Sequence, residues 1–439
     1  MGTTNQVFQN RSPLTVRGSM DRLPVRDTLS HRSQPATQKM SRVAGHFVAI
    51  CLAPIAICIN FTNYGPLIPL LQHILHVTSG QIGLFSAVLF LCLALANIPG
   101  GILSDIFGAR RTMLGSLFLV SLSAFLCPLI PTFSWMIVCR ALTGLGAGIA
   151  LVAGSHATAQ LGRYEALAQG LNGGAAQLGA GLGLVATPSL LALIGWQSTF
   201  VASGLLGLLA IFAWLFVPKV IDERGRDSHQ QADLAAGVRS RVIWTLGLSN
   251  MGTFGLGNAV TAWLAVYFAV SYGLSLPLAA GLGSLALFAG ALFRPLGGII
   301  LARSQRAIFL IRGGTLMAFL GLIILALPIG TLPIACGGLL MFSLGTTLPY
   351  AAIFSTAAHH GKQQAFGSGV AQGLIAVLAS PVAIVGPPII GLIKEQTGMF
   401  TYAFGFIVLV FSVLPVIASW YLSHALALEE RKGASIQRC

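Results

Sequence analysis

The sequence predicts an all-α membrane protein, with twelve transmembrane helices in two pseudo-symmetric six-helix bundles. Three observations predict it: composition, the spacing of apolar stretches and an internal repeat. The chain has 439 residues, 55% hydrophobic and only 8% charged, with a mean hydropathy of +0.83. A soluble domain carries about 25% charged residues to face water, so a soluble enzyme is excluded. Each membrane-crossing helix needs about 20 apolar residues, and the apolar total covers twelve.

Twelve apolar stretches follow a polar head: 45–74, 80–103, 112–131, 134–160, 166–192, 199–218, 242–271, 276–302, 307–329, 332–358, 365–393 and 399–423. Five domains result. Residues 1–42 form a disordered tail, 43–218 the first bundle, 219–241 a charged linker, 242–423 the second bundle and 424–439 a second tail. The head lacks the apolar core of a cleavable signal peptide.

Charge sets the orientation. The chain has 25 Lys+Arg against 11 Asp+Glu, a net +14. In a soluble protein that excess would point to nucleic acid. Here 21 of the 25 fall in the tails or on the loops of one side. The opposite loops near Val77, Thr132, Gln197, Gly273 and Gly330 carry no charge. By the positive-inside rule both termini are cytoplasmic. The expectation is a multi-pass protein of the cell (inner) membrane, a monomer in the lipid bilayer with no nucleic-acid partner. The seven cysteines show no paired spacing, so neither a metal site nor a disulfide frame is expected.

The repeat joins the halves. Asn97-Ile-Pro-Gly-Gly101 lines up with Arg294-Pro-Leu-Gly-Gly298, 197 residues on. Leu161-Gly-Arg163 lines up with His360-Gly-Lys362, 199 on, and Gly170, Gly174 and Pro188 line up with Gly369, Gly373 and Pro387, again 199 on.

The inner loop after the second stretch reads Gly101-Ile-Leu103-Ser-Asp105-Ile-Phe-Gly108-Ala-Arg110-Arg111. Gly101 permits close helix contact and Gly108 a tight turn. Asp105 can cap the next helix or meet a cation across the half interface. Arg110 and Arg111 hold the loop inside. The matching second-half loop, Arg303-Ser-Gln-Arg306, lacks the Asp and one Gly. In the fourth stretch Arg140 precedes Gly144-Leu-Gly146 and lies about 9 Å inside the span. It is either a structural arginine bonded to carbonyls or a functional one. Arg294 lies about 13 Å deep, near the midplane. Arg312, a turn and a half into its span, is structural and snorkels to the surface. None of the eleven acids lies deep in a helix. An anionic solute would supply the charge that the deep arginines lack. His156 is either a bystander or a titrating group.

The loop resembles the G-x-L-x-D-x-x-G-x-R/K-R/K signature of the major facilitator superfamily, and the fourth stretch resembles that family's Arg and G-x-G pattern. The resemblance covers residues 45–423 and implies alternating access around one central cavity. It also implies a gate at Gly101, Asp105, Gly108, Arg110 and Arg111, and coupling, with protons as candidate ion, at Arg140 and His156. Spans 1, 4, 7 and 10, helped by 2, 5, 8 and 11, would line the cavity. Solute-contact candidates are therefore Arg294, Asn97, Asn60, Asn63, Tyr64, Asn172, Gln177, Asn258, Trp263, Tyr350 and Gln372. Each amide or aromatic is equally read as an interhelical hydrogen bond. Gln169-Gly-Leu-Asn172-Gly-Gly is similar to the glycine-rich fifth helix of nitrate/nitrite porters, although Asn97 stands where those porters keep a second arginine. The expected function is secondary active transport of a small anionic solute, as uptake or symport, with no cofactor. The alternative is a proton-coupled efflux antiporter for drugs or amphiphiles. The efflux pattern G-P-x-x-G-G is missing from the fifth stretch. A second alternative is a non-transporting membrane sensor, which would need a signalling domain larger than the 42-residue head or the tail after Ser423.

Overall fold

Proline and glycine decide where the apolar stretches bend. The computed structural model describes residues 36–77, 79–217, 234–327, 331–364 and 366–436. Most of the tail expected over 1–42 and of the linker over 219–241 lies outside the described residues. Arg42–Cys439 forms one compact unit, and of Met1–Ser41 only the helical residues from Ala36 are described.

The first six spans are α1 Ala36–Thr62 with α2 Ile68–Leu75, α3 Ser79–Phe107, α4 Ala109–Leu126, α5 Phe133–Thr158, α6 Glu165–Ile194 and α7 Gln197–Leu215. A short helix, α8 Leu234–Arg239, ends the linker. The second six are α9 Arg241–Asn250 with α10 Leu256–Tyr272, α11 Leu276–Ser304, α12 Ala307–Ala326, α13 Leu332–Thr347 with α14 Tyr350–Gln363, α15 Ser368–Thr397, and α16 Phe400–Ile407 with α17 Val413–Ile436. Eleven described segments are long and apolar enough to cross a membrane. A bent pair, Arg241–Leu264 with Val266–Tyr272 at 51°, makes a twelfth. The protein is therefore an all-α, multi-pass membrane protein.

Four stretches differ from continuous helices. Stretch 1 breaks into a 3₁₀ turn at Gly65–Leu67, where Pro66 and then Pro69 remove backbone donors. Stretch 10 breaks before Tyr350, with Pro349 as the cap. Stretch 7 carries a π-turn at Met251–Gly255, and stretch 12 one at Val408–Ser412, just before Pro415. The tail expected after residue 423 continues α17 to Ile436. The last part of the linker is helical, with Gly237 packed against Phe366, Val370 and Leu374.

The repeat is visible in the backbone. Both α3 and α11 have 29 residues, and each ends 197 residues from its counterpart. Gly108 turns with φ of +87°. Its equivalent Gln305, which has a Cβ, adopts φ of +56° and fills the same left-handed turn. The 199-residue match holds from α5 to α13, but not for α6 and α15. Gly101 abuts the Gly369 backbone, as its equivalent Gly298 abuts Ala166. Gly373 abuts Asn97, as Gly170 abuts Arg294. Gly170 thus corresponds to Gly373, not Gly369, and the true spacing there is 203. The second half holds four extra residues before α15. Glycines four residues apart hid the shift, because a slip of one turn superposes glycine on glycine.

Small residues let the spans approach closely, as expected where lipid supplies no hydrophobic drive between helices. Buried Ala147, Ala150, Ala153 and Ala157 form one such stripe on α5. A Cβ on Gly148 would meet the Leu93 carbonyl and, at 2.9 Å, the Ala96 Cβ. A Cβ on Gly115 would meet nothing within 4 Å. Gly148→Ala should therefore cost about 1–3 kcal/mol by overpacking. Gly115→Ala should hold or raise stability through helix propensity. Thermal unfolding in detergent, read for both variants beside the parent, checks the pair.

Candidate functional site

Two arginines carry charge into the spans, and the fold treats them differently. Arg140 on α5 is 2% exposed. It donates to the Asn60 carbonyl at 2.6 Å and to Asn63 Oδ1 at 3.3 Å. Its guanidinium lies 4.5 Å over the Tyr64 ring and 5.5 Å over Phe200. Asn60 is itself committed: its amide donates to Ala56 O, and its Oδ1 accepts from Ser203. Asn60, Asn63 and Tyr64 thus form a socket for Arg140 inside the first six spans.

Arg294 on α11 is 6% exposed and lines a cavity. One donor, Nη1, reaches the Gly173 carbonyl at 2.9 Å. The guanidinium stacks 4.5 Å over the Tyr350 ring. Nε has no hydrogen-bond partner among the described residues. Gly173 serves twice, since a Cβ there would overlap the Tyr350 ring. A side chain at 173 would displace the ring from under the guanidinium.

The cavity holds about 380 Å³ of empty space, its open mouth included. Its walls come from α6 (Gln177), the π-turn (Thr253), α10 (Gly257, Asn258, Thr261), α11 (Ala286, Leu287, Arg294) and α13 (Phe342, Ser343, Thr346, Thr347). Arg294 is the only charged group among these lining residues, and no carboxylate faces it from them. The site can offer an anion the Arg294 guanidinium and the Gln177 and Asn258 amides, while the hydroxyls of Thr253, Thr346 and Thr347 donate to Asn250 and Ser343 on their own helices.

Of the solute-contact candidates, Arg294, Gln177 and Asn258 line this cavity. Tyr350 and Asn172 lie behind Arg294: the Tyr350 hydroxyl is beside Ser155 and Asn172. Gln372 donates to Ser155 O at 3.3 Å and Phe354 O at 3.4 Å, joining α15 to α5 and α14. Trp263 donates to Pro387 O at 2.8 Å and packs on Phe400, away from the cavity lining. Asn97 sits in the α3–α15 contact, its carbonyl against Gly373. The hydroxyls of Thr253, Thr261, Ser343, Thr346 and Thr347 were missed. Their signal was the Ser-x-x-Thr-Thr cluster on a span that the fold turns inward.

The gate residues meet the other half. Gly101 packs on Gly369, and the Asp105 carboxylate accepts from Gly369 N–H at 3.0 Å and Val370 N–H at 2.9 Å. Asp105 therefore caps a helix, but it is α15 of the second half rather than the next helix in the chain. His156 Nε2 lies 3.6 Å from Asp105 Oδ1. Arg110 donates to Trp214 O and Leu215 O, closing the end of α7, and Arg111 is exposed. Arg312 is half-buried and tied to the last helix. It donates to Ser419 O, Trp420 O and Ser423 Oγ and stacks on Trp420.

The comparisons agree with this geometry. A nitrite extrusion protein of Bacillus subtilis is 27% identical over 391 residues, covering 86% of this chain and 90% of that protein. A probable nitrate transporter of Staphylococcus carnosus is 25% identical, covering 89% of this chain and 96% of its own length. The solved proton:xylose symporter superposes with a TM-score of 0.72 at 13% identity, over 88% of this chain and 96% of that one. It shows the fold alone. Residues 50–383 match the family described as Major Facilitator Superfamily, and the chain belongs to that superfamily of membrane transporters.

Proposed function

We propose that this transporter carries a small anionic solute by alternating access, with Arg294 as the solute-binding charge. One observation carries the reading: a buried guanidinium with a spare donor lines a polar cavity that offers it no carboxylate. In a low-dielectric site an unpaired charge is costly, and a bound anion repays that cost. The nitrite and nitrate relatives bear names that fit an anion. The Gln177 and Asn258 amides complete the shell. Arg140 lies outside that cavity's lining, so we assign it to holding α5 against α1. Drug efflux is less well supported, because Phe342 is the single aromatic side chain among the lining residues. We assign uptake as the direction, since α6 lacks the antiporter pattern. Protons are the candidate coupling ion, and the protein works as a monomer of the cell membrane. The face bearing Asp105, Arg163, Gln305 and Lys362, called the basic face below, is taken as cytoplasmic.

Uptake into proteoliposomes tests the reading with nitrate, nitrite and a short carboxylate as solutes. Losing a charge-assisted hydrogen bond costs about 1.5–3 kcal/mol. Arg294→Ala should therefore weaken anion uptake roughly 10- to 100-fold, and Arg294→Lys should recover part of it. Undiminished uptake by Arg294→Ala would sink the proposal, as would a parent chain that no anion stabilises.

Asp105 gives a separate prediction. Removing a helix cap costs about 1 kcal/mol. In Asp105→Ala, amide hydrogen exchange at Gly369 and Val370 should quicken roughly five-fold, while exchange near Trp263 stays at the parent's rate. Mass spectrometry of the α15 peptides reads the first, and of the α10 peptides the second.

A further inference from the structure

The two halves meet at the basic face through two pseudo-equivalent contacts, and only one has the signature carboxylate. In the first, Gly101 packs on the start of α15 and Asp105 caps that helix. In the second, Gly298 packs on the start of α6. The residue equivalent to Asp105 there is Ala302, which has nothing to accept the α6 amides.

The start of α6 carries its own charge instead. Glu165, the first residue of α6, is buried with a side chain 7% exposed. Its Oε2 lies 3.1 Å from His359 Nε2 on α14, in the other half, and His359 is 63% exposed. Its second oxygen, Oε1, has no hydrogen-bond partner among the described residues. The expectation that no acid is buried fails here. Glu165 stands at a helix end, and packing across the halves, not depth along the span, encloses it.

We infer that Glu165 and His359 form a proton-dependent latch, which holds the basic face closed when His359 is protonated and releases as it loses the proton. A buried carboxylate needs a counter-charge or water. Imidazolium provides the charge, and neutral imidazole provides none. Once the proton is gone, Glu165 is relieved by parting from α14 and meeting water. The hydrogen bond to Glu165 holds the His359 imidazole above its ordinary range, so closure is full below pH ~6.5 and fades above it.

The other charged groups at this contact do not replace the pair. Lys362, one turn along α14, gives its ammonium to the Ala159 carbonyl at 2.7 Å, at the end of α5. The imidazole of His360 is directed to Glu429 at 2.7 Å and Ser240 at 3.0 Å. Asp105 and His156 face each other at the first contact. Proton exchange is open to the basic-face solution through exposed His359, so the latch senses pH on that side.

The test needs no solute, so it stands or falls apart from the anion reading. Spin labels at exposed Arg163→Cys and Gln363→Cys report the distance across the halves, with the otherwise unchanged chain as background. As pH rises from about 5.5 to 8 the short-distance fraction should fall, with its midpoint above the usual imidazole value of ~6.5. In His359→Gln the change should drop below half that of the parent, and Glu165→Gln should behave alike. The double variant should add little. The inference is overturned if both single variants keep the parent's full pH response, or if the parent shows none.

Discussion

A charge placed in a lipid span must be compensated from within the protein, and the interior of this molecule is arranged around that requirement. Arg140 is met by one amide oxygen, one carbonyl and two aromatic faces. Arg294 is met by one carbonyl and one ring. Both keep an unpartnered Nε among the described residues, but only Arg294 lines the cavity. The same electrostatic rule shapes the basic face, where Asp105 is met by the first amides of α15 and Glu165 by an imidazole. Apolar packing brings the helices together, but the polar partners determine which of them stay joined.

Much of this was legible in the sequence. The spans followed from hydropathy, and the contact of the Gly101–Asp105 loop with the other half from its ordered spacing. Depth put Arg294 inside a span, where it lines the cavity. The socket around Arg140 was not legible, because an amide on an apolar helix reads the same whether it holds a side chain or a solute. The cavity hydroxyls escaped for a similar reason. Serine and threonine are common in membrane helices, and the Thr346 hydroxyl is bonded to the Ser343 carbonyl of its own helix like many that line no cavity. Glu165 stands at the end of its span, as its sequence position predicts, but position along a span says nothing about what packs beside that end.

The repeat shows where sequence matching loses physical meaning. Aligning Gly170 with Gly369 is locally plausible, since helices that cross closely need glycine about every fourth residue. The backbone contacts resolve the ambiguity, because Gly170 and Gly373 each touch the same place on the opposite half. The four extra residues before α15 are taken up by α14, which runs to Gln363 and leaves a connection no longer than its counterpart. That extension carries His359 and Lys362 to the edge of the first half.

Arg294 joins two tasks on one residue: its carbonyl abuts Gly170 while its guanidinium rests on the carbonyl of Gly173. Any sliding of α6 along α11 therefore disturbs the guanidinium and the backbone contact together: the side chain that reaches into the cavity and the strut between the two helices are one residue.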